Sequence, residues 1–219
     1  MNVSEFFPMW EKLTPPQRRR LEESAAWRQA PAGTILRRGG DDCLGLLLVA
    51  KGQLRASLLS PEGREITIYR LFPRDICLFS ASCMMRSIQF DITIEVEKDA
   101  GFYLIPAPIY QGLMEESAQL ANYTNEIMAT RFSEVMWLME QVMWRRFDQR
   151  LAAFLLEESR LEGAKALRLT HEKIAAHLGT AREVVTRMLR YFQSEGMVRL
   201  ARGTVELTDP AGLEALAEP

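Results

Sequence analysis

Residues 170–194, THEKIAAHLGTAREVVTRMLRYFQS, constrain the fold more tightly than any other stretch of the chain. A first helix reads from about His171 to Leu178 with Thr170 as its N-cap. Gly179 ends it, where a left-handed residue lets the backbone turn. Thr180 then reads as the cap of a second helix, with Glu183 three residues on completing a capping box. Ala175 is small, as the crossing of two close helices requires. Ile174, Leu178, Val185, Met188, Leu189 and Phe192 supply the apolar inner faces. Arg182, Glu183, Thr186 and Arg187 are left on the outer face of the second helix. Arginine there can grip guanine with two hydrogen bonds, and glutamate can accept one from cytosine N4. The pattern is that of a helix-turn-helix that reads DNA. A plain helical hairpin with a solvated charged face would leave the coincidence of small residue, glycine, cap and basic face unexplained.

The following residues extend that unit. Gly196 to Leu207 alternates around Arg202-Gly203 and predicts a short hairpin, the wing of a winged helix, from which Arg199 and Arg202 can touch phosphate. Residues 163–207 hold eight Lys and Arg against four Glu, a net of +4 on a chain whose total is −2, which leaves −6 for the rest. A basic module on an acidic body fits DNA binding through one end.

The hydrophobic share of 47% and charged share of 26% are those of a soluble globular chain. No apolar run approaches the ~20 residues of a membrane helix, and the start of the chain lacks the apolar core of a signal peptide. Three cysteines, Cys43, Cys77 and Cys83, are sparse and odd in number, so a reducing, cytoplasmic setting without a disulfide scaffold is expected.

Toward the N-terminus, short helices are expected over Ser4–Trp10 and Thr14–Ala26, the latter with Pro15 and Pro16 in its first turn. Strand signals follow: an apolar run Leu44–Ala50, a turn at Gly52, alternation over Gln53–Leu59, a turn at Pro61-Glu62-Gly63 and alternation over Glu65–Phe72. Pro73-Arg74-Asp75 turns again, and Ile88–Val96 and Phe102–Ile105 read as further strands. Short strands joined by turns at this spacing predict an antiparallel barrel or sandwich. From about Ile109 to Met143 the period changes. Ala118, Ala121, Asn125, Met128, Phe132, Val135, Met139 and Val142 recur at spacings of three and four, a heptad seam on a long helix. At ~1.5 Å per residue the stretch from Glu116 is about 40 Å long. Pairing with the same helix of a second copy is the economical way to cover it, with Asn125 fixing register. Arg145–Asp148 is the candidate hinge, and Leu167-Arg168-Leu169 a short strand before the helix-turn-helix.

The fold class is thus α+β. An antiparallel β-roll, cupin-like or cyclic-nucleotide-binding-like, is expected over 1–108 as a sensor, a dimerisation helix over 109–145, and a winged helix-turn-helix over 146–219. In that order the three parts resemble the Crp/Fnr family of bacterial transcription regulators. The sharpest resemblance is at Leu178-Gly-Thr-Ala-Arg-Glu-Val-Val-Thr-Arg187, where Glu183, Thr186 and Arg187 match the spacing of the family's DNA-reading residues. Arg182 beside Glu183 looks more like the cyclic-AMP-receptor branch than the Fnr branch. The resemblance implies a homodimer on an imperfect palindrome of double-stranded DNA that recruits or blocks RNA polymerase.

It also frames the effector. Cyclic-nucleotide members carry a Gly-Glu for the ribose and an Arg-Ser for the phosphate. Here no Gly-Glu follows Asp75. Arg86-Ser87 exists, but counting back from Leu104 the phosphate positions fall on Phe90 and Asp91, and a carboxylate there repels phosphate. This argues against cyclic AMP, with Arg86 the residue that could reverse it. Cys77, Phe79 and Cys83 flank the loop that faces the family's effector, and Val135 and Met136 are the nearest helix residues. A hydrophobic effector or thiol redox sensing fits that lining, as does simple packing of the cysteines. An Fnr-type iron–sulfur cluster needs N-terminal cysteines that residues 1–42 lack, and Cys77 and Cys83 lack a usual zinc spacing. Haem ligation through Cys or Met stays open. No catalytic set emerges, since both histidines, His171 and His177, lie in the helix-turn-helix. The rival function is a ligand-sensing module whose winged helix binds a protein.

Overall fold

The computed structural model describes residues 2–38, 43–84 and 92–218. The chain forms two compact units, residues 1–58 with 68–135, and residues 59–67 with 136–219.

The first unit opens with 3-10 turns at Val3–Glu5 and Trp10–Lys12 rather than the expected Ser4–Trp10 helix. Pro8, between them, has no N–H to donate to a continuous ladder. Helix α1, Pro15–Ser24, starts as expected, with Gln17 Oε1 accepting the Thr14 N–H at 2.9 Å. Strands β1 (Ala26–Ala30), β2 (Ile35–Arg37), β3 (Leu46–Leu59), β4 (Glu65–Leu71), β5 (Ile76–Cys77) and β6 (Ile92–Ile105) make one antiparallel sheet, order β1-β6-β3-β4, with β2 on β6 and β5 on β3. It is the expected β-roll, but β3 and β6 each join two expected strands into one of 14 residues, and β1, β2 and β5 are additional.

One expected turn and one expected strand break are absent. Gly52 does not end a strand: β3 runs through it, pairing with β6 from Leu46↔Ile105 to Leu58↔Ile92 with register shifts around Lys51. With φ at 78°, Gly52 is a bulge, and a Cβ there would lie 2.2 Å from the Asp99 carbonyl oxygen. The glycine serves close backbone approach, not reversal. Likewise Ile92–Val96 and Phe102–Ile105 belong to the single strand β6, while residues 88–91 lie outside the described ones.

The apolar run at the start of β3 is continuous because both its faces are covered. Leu46, Leu48 and Ala50 pack with Val3, Phe7, Leu21, Tyr110 and Leu120. Leu47 and Val49 face the roll interior with Leu54, Tyr69, Phe79, Ile94 and Phe102. A polar network is also buried: Arg70 Nε pairs with Glu97 at 2.9 Å, and Gln53 Nε2 donates to the same carboxylate at 2.8 Å.

The expected single long helix is two. Helix α2, Ala107–Glu116, ends at Ser117 (φ −132°, ψ 102°), and α3, Ala118–Trp144, begins there. Ser117 Oγ accepts the Leu120 N–H at 3.3 Å, so the serine caps a new helix instead of continuing the old one.

In the second unit, α4 (Phe147–Glu162) ends at Gly163 in the left-handed conformation (φ 62°). Strand β7 (Ala166–Leu167) precedes α5 (His171–Leu178) and α6 (Arg182–Ser194). Strands β8 (Val198–Ala201) and β9 (Thr204–Leu207) and helix α7 (Pro210–Ala217) complete it. Leu151, Leu155, Leu167, Ile174, Val185, Leu189, Phe192, Val205 and Leu213 form its core. The tip of the β3–β4 hairpin belongs to this unit: Ile66 makes a main-chain bridge to Leu178, and Thr67 Oγ1 lies 2.8 Å from His177 Nδ1. Among the described residues no helix is long and apolar enough to cross a membrane.

Candidate nucleic-acid interface

Thr170 caps α5 as its sequence predicts, its Oγ1 accepting the Lys173 N–H at 3.1 Å. Gly179 takes the left-handed conformation, φ 67°. Thr180 does not cap α6. Its N–H instead donates to the Ala175 carbonyl at 3.1 Å, closing the C-terminus of α5, and Ala181 is the N-cap of α6. The turn consumes one more residue than the capping-box spacing allows, so Glu183 falls in the first turn of α6 rather than at its third position. Ile174, Ala175, Val185, Leu189 and Phe192 are buried between the helices. Arg182, Glu183, Arg187 and Arg190 are exposed along α6, and Thr186 is half-buried. The Thr186 hydroxyl donates to the Arg182 carbonyl and lies 2.9 Å from His171 Nδ1.

The wing forms where expected. β8 pairs with β9 from Val198↔Leu207 to Ala201↔Thr204, leaving Arg202-Gly203 as a two-residue turn. Arg202 stands exposed at its tip. Arg199 is paired with Glu206, its Nε donating at 2.8 Å, so its charge is partly spent within the wing. Burial pushes the His171 pKa down, and the charges of Arg182 and Arg190 push the same way.

Of the residues expected to sense an effector, Cys77, Phe79, Val135 and Met136 are described. Cys77 and Phe79 are core residues of the roll. Burial raises the Cys77 thiol pKa, and its sulfur lies 3.7 Å from the Tyr69 hydroxyl, so it is a poor redox nucleophile. Arg86, Phe90 and Asp91, and the Cys83 side chain, lie outside the described residues. Val135 is half-buried and Met136 exposed. No disulfide scaffold is expected from the sequence, yet Cys43 is disulfide-bonded, while Cys77 is free. An odd cysteine count excludes complete pairing but not a single bond. Sequence reasoning missed Arg131, whose guanidinium lies 4.3 Å from the centre of the Tyr69 ring and bonds Glu134 at 2.7 Å. Its signal was present: position 131 falls on the buried side of α3 with Leu120, Thr124 and Ile127 at spacings of three and four.

Along the seam, Phe132, Met139 and Val142 are exposed, as is Asn125, whereas Ala121 and Val135 are half-buried. Met128 packs with Ile127 against the unit's own helical core. Met136 and Met143, outside the expected seam, are exposed in line with Phe132 and Met139. The reason is geometric: a straight helix drifts ~20° per heptad, which carries a 3.5-residue stripe off its starting face.

The Crp-like helix-turn-helix domain profile matches residues 149–216, which contain α5, α6 and the wing. A crystal structure described as a candidate Crp/Fnr-family transcriptional regulator from Eubacterium rectale is 56% identical, covering 97% of this chain and 99% of its own at a TM-score of 0.94. The chain belongs to the Crp/Fnr family. It is a DNA-binding transcription regulator, as its helix-turn-helix and its named relatives indicate. The cyclic AMP receptor protein of Thermus thermophilus is 28% identical over 190 residues, 87% of each chain. The global nitrogen regulator of Synechococcus elongatus is 24% identical over 184 residues, 80% of this chain and 82% of its own. These Crp/Fnr relatives carry names that point to different signals, so family membership alone does not name the effector of this regulator.

Proposed function

We propose that this regulator reads a palindromic DNA site as a homodimer, each protomer inserting α6 into the major groove. One observation carries the base-reading assignment: Arg182, Glu183 and Arg187 line one exposed edge of α6, the latter two one turn apart. Arg187 is assigned to guanine and Glu183 to a cytosine amino group. Arg182 and Thr180 at the head of the helix, and Arg199 and Arg202 on the wing, are assigned to phosphates, and Thr186 offers its methyl to thymine. The dimer rests on the exposed stripe of α3. Recruitment or blocking of RNA polymerase, in the cytoplasm, is the output this reading assigns.

The β-roll is assigned the signal. A redox signal is assigned to reduction of the Cys43 disulfide rather than to the buried Cys77 thiol.

Selection of duplexes from a random pool tests the base assignments. The native protein is expected to return a two-fold symmetric motif. Arg187→Ala is expected to lose discrimination at one G·C pair per half-site, a cost of roughly 1–3 kcal/mol. An unchanged motif removes Arg187 from base reading. Failure of the native protein to enrich any duplex favours the protein-binding alternative for the winged helix.

A further inference from the structure

His171 has no part in the contacts assigned so far, and the Thr186 hydroxyl, unlike its methyl, has none either. Thr186 donates its only hydroxyl proton to the Arg182 carbonyl at 2.9 Å. Its oxygen therefore meets His171 Nδ1, 2.9 Å away, as an acceptor, and Nδ1 must carry the hydrogen. That holds for both charge states of the ring. The proton that imidazole gains or loses consequently sits on Nε2, and titration leaves the ring anchored on α6. His171 is half-buried at the first residue of α5, across from the first turn of α6.

We propose that His171 is a proton-linked phosphate contact: it is neutral in the free regulator and takes up a proton when duplex DNA docks on the edge formed by α5 and α6. Thr186 is the positioning residue that fixes the ring for this. The inference rests on that edge being the DNA-binding face.

The charged groups around the ring set the direction. Burial of the ring disfavours the imidazolium most, and the charges of Arg182 and Arg190 on α6 push the same way. The other charged residues near it in sequence, on α5 and α6 and just ahead of them, are Arg168, Glu172, Lys173, Glu183 and Arg187. A docked phosphate adds a negative charge and neutralises the arginines that held the proton off. The pKa of His171 therefore rises on binding, and affinity strengthens as the pH falls through the range between the free and bound values. Because phosphates lie on every sequence, the effect applies to any duplex at low salt and adds nothing to base discrimination.

Measuring affinity by fluorescence anisotropy for a 30-base-pair duplex of arbitrary sequence at pH 6 and pH 8 tests this. The native protein is expected to bind about three- to tenfold more tightly at pH 6, tenfold corresponding to one pKa unit. His171→Gln is expected to bind more weakly at pH 6 and to lose most of the pH dependence. His171→Lys is expected to bind tightly at both values with a flat profile. The chain has two histidines, and the other, His177, is buried. Two imidazole signals can therefore be titrated by NMR in the unsubstituted protein, which keeps the test independent of how the variants fold. One is expected to shift its midpoint upward when DNA is added. Identical pH profiles for native protein and His171→Gln, or a midpoint that DNA does not move, would overturn the proposal. Absence of binding to every duplex would remove the DNA face itself and this contact with it.

Discussion

Gly179 carries two demands at once. Its φ of 67° is one that other L-residues adopt at a cost, and an added Cβ would lie 3.0 Å from Ile66 Cδ1. Gly163, the C-cap of α4, has a similar φ of 62° with nothing within 4 Å of such a Cβ. The pair separates backbone strain from crowding. Gly163→Ala is expected to cost about 1–2 kcal/mol, the left-handed penalty alone. Gly179→Ala should cost more, because Ile66 is held by a main-chain bridge to Leu178 and has little freedom to move. Urea unfolding of the two variants measures the difference. Equal costs would mean that Ile66 yields, and that the hairpin tip rests loosely on the α5–α6 turn.

Elements were legible where one residue type had one physical role, and illegible where it had two. Gly179 and Gly203 mark a helix end and a hairpin tip, so α5 and the wing could be bounded from the sequence. Gly52 looks the same in sequence but serves a bulge within β3, because the constraint comes from Asp99 across the sheet. Ser117 reads as one polar residue within a helical period until its hydroxyl is found capping α3. The Arg70–Glu97 pair was hidden because alternation predicts that charged positions face water. Both side chains are instead over 90% buried. Breaking such a pair leaves a charge stranded, so Glu97→Ala is expected to destabilise by about 3–5 kcal/mol. A cost near zero, read by thermal unfolding, would place water beside Arg70. Helix α3 poses the converse problem of apolar residues without cover. Phe132 is 66% exposed and Trp144 77%. Trp137 and Trp144, one heptad apart, form an edge that the seam reading did not include. A charge at an exposed position costs a folded protomer little, usually within 0.5 kcal/mol. Phe132→Glu with Met139→Glu is therefore expected to convert a dimer to a monomer in light scattering without lowering the protomer's helical content. A double variant that remained dimeric would put the self-association surface elsewhere.

For the molecule as a whole, the decisive asymmetry is electrostatic. Residues 163–207 are positive while the chain is negative overall, so a duplex is attracted to that segment and repelled by the net charge of the rest. Binding should weaken steeply with salt, since each phosphate neutralised releases about 0.9 counterion. The wing offers a way to count protomers. Arg202 sits at an exposed two-residue turn, whereas Arg199 is paired with Glu206. Arg202→Ala is accordingly expected to weaken binding to all sequences alike and to reduce the slope of log K against log salt by about 1 per protomer on the duplex. A reduction of about 2 is the signature of two wings engaged together. A reduction of about 1 would mean that a single protomer binds, and an unchanged slope would remove the wing tip from the phosphates altogether. Measured beside the glutamate variant of α3, the same slope separates the two halves of the mechanism. If the exposed stripe joins two copies, the monomeric variant should lose half of the native slope while keeping the local chemistry of α6.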